Sequence, residues 1–101
     1  MQLIIGRVST QEVYMNREER ILDVIKEAID FYDPEDLLNI GAPDNEYLHE
    51  AKIISNKLLE SGINQLSTII QETFEYYFGK NIDNSLLLQI VNRITTNINQ
   101  I

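Results

Sequence analysis

Apolar residues recur along most of this chain at steps of three and four. That period gathers side chains on one face of an α-helix, whereas a strand would alternate them. In residues 16–32, Leu22, Ile25, Ile29 and Tyr32 share one face while Asp23, Glu27 and Asp30 lie nearly opposite. The spacing predicts an amphipathic helix, with Asn16 as its N-cap and Glu19 completing a capping box. Three further stretches follow the same rule. Residues 44–61 carry the stripe Tyr47, Ala51, Ile54 and Leu58, with Asp44 or Asn45 as cap; residues 64–78 carry Leu66, Ile70, Thr73, Phe74 and Tyr77, with Asn64 as cap. From Asp83 onward Leu87, Val91, Ile94, Ile98 and Ile101 repeat, and the four-residue steps from Ile90 to Ile94 to Ile98 outweigh the strand preference of their β-branched side chains.

Glycine and proline punctuate these stretches. Gly41, Gly62 and Gly79 each follow an apolar run, where a helix ends in a left-handed residue. Asp33-Pro34 stops the first helix at about Tyr32, because the residue before a proline disfavours the helical conformation. The same dipeptide suits an N-cap and first helical position, so a short connecting helix through Leu37, Leu38 and Ile40 is expected to end at Gly41. Pro43 and Asp44 would then restart the chain. Met1 to Val8 reads as a strand or extended arm, and a second capping-box pattern over Ser9 to Glu12 would let the first helix begin near Thr10. The expected fold class is all-α: a bundle of about four amphipathic helices over 16–101, preceded by an extended N-terminal arm over 1–15.

Composition narrows the function classes. The 101 residues hold no cysteine, which removes disulfides, thiolate metal sites and cysteine nucleophiles. No apolar run approaches the ~20 residues of a membrane span and no leader pattern stands at the start, so a cytoplasmic location is expected. The net charge of −8 is uneven: residues 1–50 carry twelve acids and four bases, residues 51–101 four of each. Such a surface repels nucleic acid and anionic lipid, and attracts a basic protein. The candidate partner-binding acids are Asp23, Glu27, Asp30, Glu35, Asp36, Asp44, Glu46 and Glu50. Set against this, an excess of exposed carboxylates also serves solubility alone.

Catalytic signals are sparse. The single histidine, His49, forms a Glu-x-x-His pair with Glu46, which is half of the dimetal pattern of helical bundles. The second half is missing, so a solvent-facing histidine is the better reading. There is no nucleophile elbow and no glycine-rich phosphate loop. Neither a cofactor nor a metal site is expected, and the chain reads as a non-enzyme. Phe74, Tyr76, Tyr77 and Phe78 read as core and cap packing, although Tyr76 and Tyr77 cannot both face inward.

A discontinuous set of residues resembles a known family. Asp33-Pro34-x-x-Leu37, Gly41-Ala42-Pro43, Glu46-Tyr47 and Phe78-Gly79 are similar to the pattern of the YugE-like family, small helical proteins of Gram-positive bacteria classed as a domain of unknown function. The likeness spans roughly 16–98 and implies a compact helical fold with no assigned activity. The family shows Trp-Asp-Pro where Tyr32-Asp33-Pro34 stands here, and an acid where Leu48 stands. A weaker likeness, in the Asp-Pro and Pro-x-x-Glu-Tyr patterns, links the chain to small immunity proteins that neutralise toxins. The residues themselves give an architectural reading. Asp33, Pro34, Gly41, Pro43, Gly62 and Gly79 set the junctions, and Tyr47 packs under the first of them with a hydroxyl that needs a partner.

Three functions follow as expectations. The first is an acidic interaction domain for a basic protein, immunity-like or regulatory. The second is a self-associating domain, a two-fold homodimer suggested by the apolar stripe reaching Ile101 and by the apolar arm. The third, and weakest, is a small metal enzyme built on Glu46 and His49.

Overall fold

A computed structural model describes residues 16–42 and 45–99; the expected N-terminal arm, Pro43, Asp44 and Ile101 lie outside them. Four α-helices form the domain: α1 Arg17–Tyr32, α2 Leu48–Ser61, α3 Leu66–Phe78 and α4 Asn84–Ile98. Among the described residues there is no strand. Helix α1 packs on α2 and α4, and α3 packs on the same two, so the four close around one interior. The bundle predicted from apolar spacing is therefore what the chain forms. No helix among the described residues is long and apolar enough to cross a membrane.

Each helix begins for a local reason. At α1 the Asn16 side chain accepts from the Glu19 N–H at 2.8 Å, and the Glu19 carboxylate accepts from the Asn16 N–H at 3.0 Å. This is the expected capping box, and it partners two backbone donors that the helix itself cannot. At α4 the Asp83 carboxylate accepts from Ser85 and Leu86. Helices α2 and α3 start differently. Neither Asn45 nor Asn64 caps them; the caps are Tyr47 and Gln65, without a side-chain bond, and α2 starts later than residue 44. A 3₁₀ turn over Ile63–Gln65 feeds α3 instead.

The interior is built from isoleucine and leucine, with Tyr47 and Phe74 fully buried. In α1 the buried face is Ile21, Ile25, Ala28 and Ile29, while Leu22 and Tyr32 pack at its edges. The stripe is rotated from the predicted one because α1 has neighbours on two sides and buries a wider band. The α4 stripe goes inward: Leu87, Ile90 and Ile94 are buried and Val91 and Ile98 pack against the core. Through Ile98 its apolar repeat packs within the chain. Across α1 and α4, Arg93 grips the Glu27 carboxylate with two bonds of 2.9 and 2.7 Å and lies 3.9 Å above the Phe31 ring.

The connection after α1 departs from expectation. Asp33 ends α1 as a left-handed C-cap with φ 47°, its N–H bonded to the Ile29 carbonyl, and does not start a new helix. Asp36 also has positive φ, at 60°. Two left-handed residues three apart break any helical ladder, so residues 34–41 are a chain of turns closed by Ala42 N–H to Leu37 O at 2.9 Å. Gly41, at φ 100°, supplies the last reversal.

Candidate functional site

Asp33, Tyr47 and Phe78, which sequence reading assigned to separate junctions, meet at one end of the bundle. Tyr47 is fully buried, its ring 6.1 Å from Phe74 and 6.4 Å from Phe78, and those two phenyl rings stack at 5.3 Å. From that aromatic floor the Tyr47 hydroxyl reaches up into the connector. It donates to the Asp33 carboxylate at 2.6 Å and accepts from the Glu35 N–H at 2.9 Å. The Asp33 carboxylate also accepts from the Leu38 and Asn39 N–H groups at 3.1 and 2.9 Å. Lys80, just past Gly79, reaches Glu35 at 3.5 Å, and the Glu35 side chain is only 8 % exposed. Asp33, Tyr47 and Phe78 thus form a single clasp.

The electrostatics of the clasp are those of a fixed structure. Burial works against ionised Asp33, but the hydrogen bonds from Tyr47 and from the Leu38, Asn39 and Leu37 N–H groups outweigh it and hold the carboxyl below its ordinary value. Burial, and secondly donation to Asp33, push the Tyr47 hydroxyl well above its ordinary value. A carboxylate so saturated with donors is a poor base, and a phenol so held is a poor acid. What the arrangement does is immobilise residues 33–42, supplying partners for the Glu35, Leu38 and Asn39 N–H groups beside the turns' own backbone bonds. Held on the outside of that segment are Asp36 and Ile40, the latter 72 % exposed.

The eight candidate acids do not form one face. Asp23, Asp36 and Glu46 are exposed. Glu27 is exposed on α1 and Asp30 is partly buried there, its Oδ1 buried without a hydrogen-bond partner. They are engaged by Arg93 and Lys26, the latter at 2.6 Å, and Arg93 also lowers the Glu27 carboxyl below its ordinary value, against a smaller effect of burial. Glu35 is tucked under Lys80, and Asp44 is outside the described residues. Glu50 is a correction: it is 7 % exposed, with Oε1 buried and without a hydrogen-bond partner. Its place, three residues after Tyr47 and four before Ile54, puts it on the buried side of α2 and away from any partner.

Sequence reading missed a second clasp, between α3 and α4. The Gln71 amide donates to the Ile82 carbonyl at 3.0 Å and accepts from the Ile82 N–H at 2.7 Å, which pins buried Ile82. On the α2–α3 side, His49 is exposed and sits edge-on against Tyr77 at 5.0 Å, so its contact is aromatic. Among the described residues no group of three or more histidines and acids is placed to hold a metal ion. Compared with family models, with curated proteins and with solved structures, the chain matches none of them.

Proposed function

We propose that this chain is a non-enzymatic interaction domain that binds a basic protein through the clasped connector. The observation that carries the reading is Ile40, 72 % exposed on a segment that the Asp33–Tyr47 clasp holds rigid, with exposed Asp36 four residues before it. A pre-ordered loop loses little conformational entropy on docking, and an apolar anchor that shares its segment with one exposed acid suits an apolar pocket with a Lys or Arg at its edge. The net charge of −8 adds long-range attraction for such a partner. Asp23 and Glu46 are further exposed acids that add to the negative charge. An immunity-like or regulatory role fits this chemistry, because blocking a basic surface needs no catalysis. Membership of the YugE-like family belongs to the same proposal, and is supported by the meeting of its motif residues Asp33, Tyr47 and Phe78 in one clasp.

The test is a pull-down with the wild-type chain and with Asp36→Lys and Ile40→Asp, at about 50 and about 500 mM salt. The expected result is capture of a basic protein, identified by mass spectrometry and re-bound in purified form. Capture should weaken at high salt and be lost in both variants. Salt-insensitive capture, capture unaffected by either variant, or the lack of any partner would each count against the reading.

A further inference from the structure

The groove between α2 and α3 is a second surface, independent of the connector. It is open, about 460 Å³, and lined by Ile53 and Lys57 from α2 and by Glu72, Thr73, Tyr76 and Tyr77 from α3. Tyr76 is 80 % exposed and Tyr77 41 %, and the two rings meet edge to face at 4.8 Å. Neither tyrosine joins the core, which takes Phe74 from this helix instead. Lys57 and Glu72 stand on opposite walls, and among the described residues neither makes an ion pair.

We propose that a second copy of this chain docks in the α2–α3 groove across a two-fold axis. The rotation sets Lys57 of each copy against Glu72 of the other and lays the Tyr76–Tyr77 pair of each copy on the α2 wall of the other, at Ile53. The argument is charge complementarity. A patch with one charge of each sign on facing walls is complementary to itself under two-fold rotation about an axis that runs along the groove. The chain as a whole, at −8, repels its own copies, so association needs a face where approach brings unlike charges together. Tyrosine suits such a face, being amphipathic enough to stay exposed in the monomer and large enough to anchor a dimer. A homodimer so placed does not need the α4 stripe, which the core already uses.

Sedimentation equilibrium on the full chain, from about 10 μM to about 1 mM, reads the result. The wild type should dimerise with rising concentration. Tyr76→Glu and Lys57→Glu should each weaken the dimer by about tenfold or more, and adding Glu72→Lys to Lys57→Glu should restore it to within about threefold of wild type. Circular dichroism of these exposed-site variants checks that the fold is kept. A monomer over the whole range overturns the proposal, as does a charge exchange that fails to restore the dimer. A dimer indifferent to Tyr76→Glu overturns it too, and places the contact elsewhere. A monomer whose groove takes a peptide or another protein has the same effect.

Discussion

The two clasps of this bundle solve one physical problem in opposite ways. After α1, the irregular backbone of the connector is gathered by an ionised carboxylate and a phenol, Asp33 and Tyr47. After α3, the chain is gathered by a neutral amide, Gln71, bonded to both backbone groups of Ile82. Both satisfy polar groups that packing would otherwise strand. Only the first can titrate, and only the first holds a segment that projects outward. The neutral clasp secures a buried side chain, whereas the ionised one secures a displayed surface.

Removing the aromatic floor should produce the largest effect. Tyr47→Ala deletes a fully buried ring packed on Phe74 and Phe78 and should cost about 3–5 kcal/mol, read by urea denaturation. The single-bond versions then compare the clasps directly. Tyr47→Phe keeps the ring but removes the bridge between Asp33 and the Glu35 N–H, and should cost about 1–3 kcal/mol. Gln71→Ala strands the N–H and carbonyl at Ile82 and should cost a similar ~1–3 kcal/mol. A Tyr47→Phe effect below measurement would mean that ring packing, not the clasp, holds the connector.

What was legible in the sequence divides along the same line. Helix ends marked by Gly62 and Gly79, the Asn16–Glu19 box and the Asp83 cap all depend on neighbours a few residues away, and pattern reading finds them. Tyr47 beneath the Asp33–Pro34 junction was also legible, because a buried tyrosine needs a hydroxyl partner nearby. The connecting helix was not formed because Asp33 adopts the left-handed conformation, and its carboxylate turns back to gather the turn. A short polar residue can cap either way, so the local pattern does not distinguish the two. The Gln71–Ile82 pairing spans eleven positions and uses a neutral side chain, which leaves no periodic or charge signal. Glu50 was misplaced because its charge was weighed above its position between Tyr47 and Ile54.

pH separates the clasps further. Asp33 has its carboxyl lowered, so the folded chain binds that proton less readily than the unfolded chain. Its contribution is complete above about pH 4 and disappears as pH falls through the lowered value. Tyr47 has its hydroxyl raised, so its contribution is complete below about pH 10 and disappears as pH climbs past it. Denaturation midpoints across pH should therefore fall at both extremes in wild type. Asp33→Asn should flatten the acid limb and Tyr47→Phe the alkaline one, while Gln71→Ala should lower the whole curve without changing either slope. A Gln71→Ala curve that changes slope would show that the two clasps are coupled through the bundle.

The smallest effect should have the opposite sign. Asp36 sits at φ 60° with its side chain exposed, and its N–H bonds back to the Asp33 carbonyl. A non-glycine residue held left-handed costs about 1–2 kcal/mol, of which glycine recovers part after its greater entropy in the unfolded chain. Losing one acid from a chain of net charge −8 relieves repulsion as well. Asp36→Gly should accordingly leave stability unchanged or raise it by up to about 1 kcal/mol, measured by thermal and urea unfolding. The same variant should weaken capture of a basic partner, since the loop keeps its shape and loses only its outward carboxylate. Strain retained at a position where glycine would serve the fold better fits the proposed binding role of this loop. If Asp36→Gly destabilises the chain by more than about 1 kcal/mol, the carboxylate serves the fold, and the contrast between a structural and a displaying clasp fails at its most exposed residue.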